Sequence, residues 1–282
     1  MVFDGIYPAC LSVLNADLKL NSEQTLIHAE KLISLGAEGV VLGGSTGQSQ
    51  SLSNECKMNL IDQASKSLQN QKIIIGPGTN SLLDTAKLIN YAKKKNLKKF
   101  LIMPGAYGYS TIKNKEEAVY SYFAELLNRV NECEIIIYNF SKLNQLDFTV
   151  EMVERLVKDY PNIFLGLKDS GNDNLFEKIK IKNFKVYVGS EQKLLSSLKC
   201  GCSGLISATV NTFFLLDLAL KVFKNFKKGK DQKYNELLVK LHSIFNEFNL
   251  IEGLHTFYAQ KDAIYKNILP PLKLLNEKDR IK

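Results

Sequence analysis

Lys168 is where the chemistry of this sequence first shows. It closes the apolar run IFLGL (163–167) and is followed at once by Asp169, Ser170, Gly171, Asn172 and Asp173. Taken alone, an ammonium at the lip of a buried strand reads as a lysine reaching water. Two other stretches change that reading. GGSTGQS (43–49) brings three glycines, which let backbone amides approach a ligand closely, and the hydroxyls of Ser45 and Thr46. Such amides at a helix start hold a small carboxylate well. The stretch is not a phosphate loop, because the lysine that should follow its last glycine is absent. IIIYNFSK (135–142) adds the phenol of Tyr138. A lysine, a phenol and a carboxylate cradle together fit imine chemistry: an unprotonated amine attacks the ketone of a 2-oxo acid, and the protonated imine becomes an electron sink. Lysine has a reference pKa of about 10.4, so such an amine needs a dry apolar surround, which IFLGL is expected to supply on one side. The phenol would shuttle protons, relayed by a hydroxyl such as Thr46.

The elements around these stretches explain how they could meet. Apolar, β-branched runs of strand length occur at 5–14, 39–46, 72–78, 99–104, 134–140, 163–169, 185–191 and 204–210, each separated by a helical pattern. SEQTLIHAEKLISLG is one such helix, with Leu26, Ala29, Leu32, Ile33 and Leu35 on its apolar face and Gly36 at its end. SNECKMNLIDQASKSL is another, opened by Ser53 with Glu55 in its first turn. The strands lack polar alternation, so they are buried on both faces and parallel. Eight strand–helix units over about 225 residues match a closed (β/α)8 TIM barrel, whose chemistry sits at the carboxyl ends of its strands. Lys168, Tyr138 and GGSTGQS all fall at such ends. The final stretch is helical only. The expected organisation is a barrel catalytic domain over 1–226 and a C-terminal helical appendage over 227–282, with Pro270–Pro271 as punctuation within it.

On these motifs the chain resembles the dihydrodipicolinate synthase / N-acetylneuraminate lyase family, the class I pyruvate-dependent aldolases, over nearly its whole length. GGSTGQS is similar to the family's G-x-[ST]-T-G-E-x, which implies that Ser45, Thr46 and Gly47 hold the pyruvate carboxylate. YNF (138–140) resembles Y-N-x-P, implying Tyr138 as the proton-shuttling phenol. GLKDSG (166–171) resembles G-[IL]-K-x-[ST]-[ST]-G, implying Lys168 as the Schiff-base lysine. GCSGLISATVN (201–211) resembles G-x-x-G-x-I-S-x-x-x-N, implying that Ile206 lies over the keto acid. The family also lends a second tyrosine across a dimer interface; MPGAYGYS (103–110) offers Tyr107 or Tyr109, and Tyr107 is taken as the catalytic one. Some positions depart from the pattern. Gln48 replaces the usual glutamate, Ser141 the usual proline, and Leu143 stands where the synthase branch has an arginine for its aldehyde's carboxylate. Leucine cannot bind a carboxylate, and the neighbouring Lys142 lacks the planar fork. In VGSEQK (188–193), Gly189 and Glu191 fall on the substrate side, Gln192 replaces one member of the acid pair of sialic-acid lyases, and Ala208 replaces a serine.

The resemblance implies a lyase that makes or cleaves a carbon–carbon bond between pyruvate and an aldehyde, with 2-keto-3-deoxy sugar acids as the intermediate case. A synthase condensing pyruvate with aspartate semialdehyde is the alternative, and a non-catalytic 2-oxo-acid-binding protein is the alternative of another class. No cofactor and no metal are expected. The partners are small molecules and a second copy or three further copies of the chain. The net charge of +8 invites a nucleic-acid reading, yet the lysines are spread out and their clusters at 93–99 and 224–230 fall at helix ends. Only three arginines are present, the side chain best suited to reading bases. The five cysteines are odd in number and mostly lie in apolar stretches, which fits reduced thiols, and CGC (200–202) lacks the second Cys/His pair of a closed metal site. The three histidines, His28, His242 and His255, fall on predicted helices and read as surface or packing residues. With no signal-peptide pattern and no apolar run of about 20 residues, the expected location is the cytoplasm.

Overall fold

The computed structural model describes residues 3–105 and 108–280. All eight expected strands form: β1 Gly5–Pro8, β2 Val40–Leu42, β3 Ile73–Ile75, β4 Lys99–Ile102, β5 Glu134–Asn139, β6 Phe164–Asp169, β7 Lys185–Val188 and β8 Gly204–Ser207. They pair in parallel, in the order β1-β8-β7-β6-β5-β4-β3-β2. A parallel bridge between Ala9 and Val41, with the Cys10 amide donating to the Val41 carbonyl, joins the two ends of the sheet into a TIM barrel. Several strands are shorter than their apolar runs. Residues 45–47, 191–193 and 209–211 coil into 3-10 turns instead, so the apolar run carries on past the ladder into the loops of the carboxyl rim.

The helices are α1 Ser22–Ser34, α2 Asn54–Lys66, α3 Leu82–Lys94, α4 Lys115–Leu127, α5 Ser141–Asn144, α6 Val150–Asp159, α7 Leu175–Lys178, α8 Leu194–Lys199, α9 Phe213–Lys227, α10 Tyr234–Phe245, α11 Leu250–Ala259 and α12 Glu277–Arg280. Local chemistry sets their starts. The Ser53 hydroxyl accepts from the Cys56 amide to cap α2, and Asn21, Ser81, Asn114 and Thr149 do the same for α1, α3, α4 and α6. The buried face of α1 is Thr25, His28, Ala29, Leu32 and Ile33. Leu35, expected on that face, is exposed at the C-cap, where the helix ends before it can bring the residue round. Helices α10 and α11 and the segment after them continue the chain. Leu254 of α11 and Tyr265 pack on Leu11 and Val13 beyond the end of β1.

Two apolar layers result. Ile6, Val40, Leu42, Phe100, Ile135, Ile137 and others face the helices, while Tyr7, Ala9, Val41, Ile74, Leu101, Ile136, Tyr138, Tyr187 and Ile206 fill the barrel. One irregularity decides where the lysine of β6 points. Ile135 pairs with Phe164 but Ile136 pairs with Gly166, leaving Leu165 over. Phe164 and Leu167, an odd number of residues apart, therefore both face the helices, and Leu165 packs inside. In a regular strand, alternation would turn Lys168 to the same side as Phe164. The extra residue reverses that parity and aims Lys168 into the barrel.

Candidate active site

Lys168 sits in β6 between two tyrosines, paired in register with Tyr138 of β5 and Tyr187 of β7. Its side chain is buried, with Nζ 4.2 Å from the centroid of the Tyr138 ring, a cation–π distance. Among the described residues no carboxylate forms an ion pair with it. Its neighbour Asp169 points the other way and is fully engaged: Oδ1 accepts from the Asn139 side-chain amide at 2.9 Å and the Gly171 amide at 3.0 Å, and Oδ2 from the Phe176 amide at 3.0 Å. The paired alternation Tyr138/Lys168 inward and Asn139/Asp169 outward puts reactive groups in the barrel and uses the polar pair to fix the loop that follows.

Tyr138 Oη lies 3.2 Å from Ser45 Oγ. Phe140 stacks on the Tyr138 ring, centroids 5.8 Å apart, and makes that side of the rim apolar. Ser45–Gly47 forms a 3-10 turn whose leading amides, those of Ser45 and Thr46, lack an acceptor within the turn. Its last residue is held by Ser12, whose hydroxyl donates to the Gly47 carbonyl at 2.7 Å. The turn reaches the rim because β2 and β3 approach closely there: a Cβ on Gly43, whose φ is +68°, would lie 2.8 Å from the Gly76 carbonyl oxygen. A pocket opens between these elements, lined by Gly44, Ser45, Thr79, Asn80, Met103 and Tyr138 among others.

The other expected site residues divide. Ile206 of β8 is wholly buried in the barrel interior. Gly189 follows β7, and a Cβ there would overlap the Ser170 hydroxyl, so the residue is small because the loops after β6 and β7 touch. Thr46, expected as a relay hydroxyl, is buried one position beyond Ser45, and it is the Ser45 hydroxyl that lies at Tyr138. Leu143 is exposed on α5. Tyr107 lies outside the described residues, and Tyr109 is buried in the helix-facing core, with burial pushing its phenol upward.

Glu191 departs most from expectation. It has no exposed surface, and its carboxylate accepts from Ser207 at 2.9 Å and from the Thr209 hydroxyl, with His242 Nδ1 of α10 at 2.8 Å. Burial alone would raise this carboxyl, but the hydrogen bond and charge of His242 hold it below the usual value. A carboxylate so occupied is not presented to a sugar hydroxyl; it binds α10 to the ends of β7 and β8. Of the two readings of the histidines, surface or packing, the structure shows packing. All three are buried, and His28 bridges the Asn211 side chain at 2.8 Å and the Tyr265 phenol at 2.9 Å.

The sequence matches the dihydrodipicolinate synthetase family over residues 2–282. The chain belongs to that family. It is 27% identical over 258 residues to the 4-hydroxy-tetrahydrodipicolinate synthase of Methanopyrus kandleri, covering 88% of this chain and 83% of that one. Its fold is shared with YagE, a prophage protein of the dihydrodipicolinic acid synthase family from E. coli K12 solved in complex with pyruvate, at a TM-score of 0.86, 23% identity, and 100% and 96% coverage of the two chains. It is shared equally with the 2-keto 3-deoxygluconate aldolase from Picrophilus torridus, at a TM-score of 0.84, 20% identity, and 98% and 99% coverage. As a member of the dihydrodipicolinate synthetase family, the protein is a carbon–carbon lyase of the class I aldolase type. Among the described residues no helix is long and apolar enough to cross a membrane.

Sequence reasoning missed three features of the site. The bulge in β6 leaves no mark in an unbroken apolar run. The Ser45–Tyr138 contact depends on how a turn after β2 meets a strand three places round the barrel. The Glu191–His242 pair joins residues 51 positions apart, and neither periodicity nor motif spacing links them.

Proposed function

We propose that this protein is a pyruvate-dependent aldolase in which Lys168 is the imine-forming residue. The lone pair of Lys168 Nζ adds to C2 of the 2-oxo acid, and the ketone oxygen departs as water. The imine then loses a C3 proton to give an enamine, whose electron pair forms the new bond to an aldehyde carbon. Hydrolysis returns the amine, and the reverse sequence cleaves a 2-keto-3-deoxy acid to pyruvate and an aldehyde. Tyr138 carries the protons, with Ser45 as the hydroxyl beside it, and the turn of Ser45, Thr46 and Gly47 holds the carboxylate through its amides. Ile206 covers the keto acid, and Tyr107 from a neighbouring copy completes the relay in a homodimer or homotetramer. The enzyme works in the cytoplasm on small molecules, apart from nucleic acid and membrane.

The observation that carries this reading is the buried Lys168 amine 4.2 Å from the Tyr138 ring, with Tyr138 Oη in turn 3.2 Å from Ser45 Oγ. Adding borohydride in the presence of pyruvate should fix a reduced adduct on Lys168, located by peptide mass. An unmodified Lys168 under saturating pyruvate would end the proposal.

A second reading, condensation with aspartate semialdehyde, is favoured by the similarity to 4-hydroxy-tetrahydrodipicolinate synthases. It needs a cation for the aldehyde's carboxylate, and Leu143 offers none. Lys142 is the exposed candidate. If this reading holds, Lys142→Ala abolishes condensation while the borohydride adduct still forms; unchanged condensation removes Lys142 from that role. A panel of aldehydes with pyruvate, scored by product mass, separates the two substrate classes.

A further inference from the structure

Gln48 is the residue of the GGSTGQS turn that lies beyond the ligand-facing hydroxyls, and it adopts a left-handed backbone at φ +53°, ψ +32°. That region is uncommon for a side chain other than glycine, asparagine or aspartate, so something must hold it. Its backbone amide donates to the Ser45 carbonyl at 3.0 Å and closes the turn. Its side chain, almost fully buried, makes two opposed hydrogen bonds to one residue far along the chain. Nε2 donates to the Leu269 carbonyl at 2.9 Å, and Oε1 accepts from the Leu269 amide at 3.1 Å. A carboxamide copies the donor–acceptor pair of a neighbouring backbone, and the Leu269 peptide groups pair with it as they would in a sheet.

Leu269 belongs to a strap, residues 265–269, that is tied down along its length. The Tyr265 phenol reaches His28 and the Tyr265 carbonyl meets His255 Nδ1 at 2.9 Å. The Asn267 side chain donates to the Leu14 carbonyl at 3.0 Å, and Ile268 is buried. The strap therefore has a fixed position against the barrel, and Gln48 passes that position to the turn bearing Ser45. We infer that Gln48 is a positioning residue of the aldolase: it locks the Ser45 hydroxyl at Tyr138 by clipping the turn to the strap at Leu269. This rests on the assignment of Lys168, Tyr138 and Ser45 made above. It also explains the departure noted in the sequence. A glutamate could accept from the Leu269 amide, but when ionised it would set an oxygen against the Leu269 carbonyl. The carboxamide satisfies both groups of this strap without taking up a proton, which a carboxylate cannot do.

The test needs no knowledge of the aldehyde. In heavy water, the imine–enamine equilibrium exchanges the methyl protons of pyruvate for deuterons, with proton release and deuteron uptake in equal number. Proton NMR follows the rate, and borohydride trapping reports imine formation separately. Gln48→Met, which keeps the length and loses both hydrogen bonds, should slow exchange about threefold, and Gln48→Glu by up to about the tenfold expected on removing the Ser45 hydroxyl itself, while both still trap pyruvate on Lys168. Folded variants that exchange at the wild-type rate would overturn the role of Gln48. A wild-type protein that neither traps nor exchanges would overturn the earlier assignment instead. A measurement on the unaltered protein covers variants that fail to fold. If turn and strap are coupled, saturating pyruvate slows hydrogen exchange of the Leu269 amide, by reciprocity of coupling; unchanged protection there speaks against the clip.

Discussion

Two tyrosines flank Lys168 in the sheet register, and they lead opposite lives. Tyr138 on β5 turns to the carboxyl rim, where its phenol meets the Ser45 hydroxyl at 3.2 Å and its ring lies 4.2 Å from the Lys168 amine. Tyr187 on β7 turns to the amino end, where its phenol donates to the Phe3 carbonyl at 2.7 Å. Tyr7 joins it there, edge-on at 5.5 Å, donating to the same carbonyl at 3.0 Å. A phenol that donates to a backbone carbonyl has a fixed acceptor that holds no exchangeable proton of its own. One that faces a hydroxyl beside a pocket can pass a proton on. The residue type is the same and all are buried; the nature of the acceptor separates a structural plug from a candidate acid–base.

Substitutions at the two ends should keep that division. Lys168→Ala is expected to have the largest effect, complete loss of the borohydride-trapped pyruvate adduct and of methyl exchange, read by mass spectrometry and NMR. Tyr138→Phe should lower the exchange rate by about two to four orders of magnitude, the usual worth of a positioned acid–base, with trapping retained. Ser45→Ala, which removes only the relay partner, should cost about tenfold in the same assay. Tyr187→Phe inverts the pattern. It should leave exchange within about twofold and lower unfolding free energy by about 1 kcal/mol, measured by urea denaturation, since one buried hydrogen bond is lost while Tyr7 still serves the Phe3 carbonyl. If Tyr187→Phe slowed exchange as much as Tyr138→Phe, the contrast between rim and floor would fail.

The smallest expected effect is a matter of pH. Burial, outweighing the bond to the Phe3 carbonyl, pushes the Tyr7 phenol up to about 12, and burial moves Tyr187 upward as well. A proton held more tightly in the folded state contributes stability that is intact below the unfolded value, near pH ~10, and that is lost as the pH rises through the folded one. The urea midpoint should therefore fall on the alkaline side of that window, and Tyr7→Phe should remove part of the fall. At the other end of the scale, Glu191 is held below its usual value, so its contribution is lost as pH falls through the folded value, and acid should loosen α10 before the barrel strands.

Much of this architecture was legible beforehand, for a physical reason that differs between its parts. Strands buried on both faces need unbroken apolar runs, so eight such runs named the eight strands, and strand ends named the rim. Lys168 and Tyr138 stood out because each ends such a run with a polar group. Glu191 reads as a rim carboxylate for the same reason, since it also follows a strand, but His242, Ser207 and Thr209 hold its carboxylate. Ser45 and Thr46 are indistinguishable in sequence, because two adjacent hydroxyls are equivalent until a turn gives one of them a direction.

The amino-acid order by itself determined the elements, their parallel arrangement and the kinds of reactive group available, because hydrophobic burial and hydrogen-bond demand act on each segment locally. Only the tertiary structure decided which of those groups face each other. One leftover residue at Leu165 sets the side on which Lys168 emerges, and a carboxamide at Gln48 meets a peptide group 221 positions away. Such pairings depend on the closure of the barrel and the path of the strap, which no local stretch of sequence encodes.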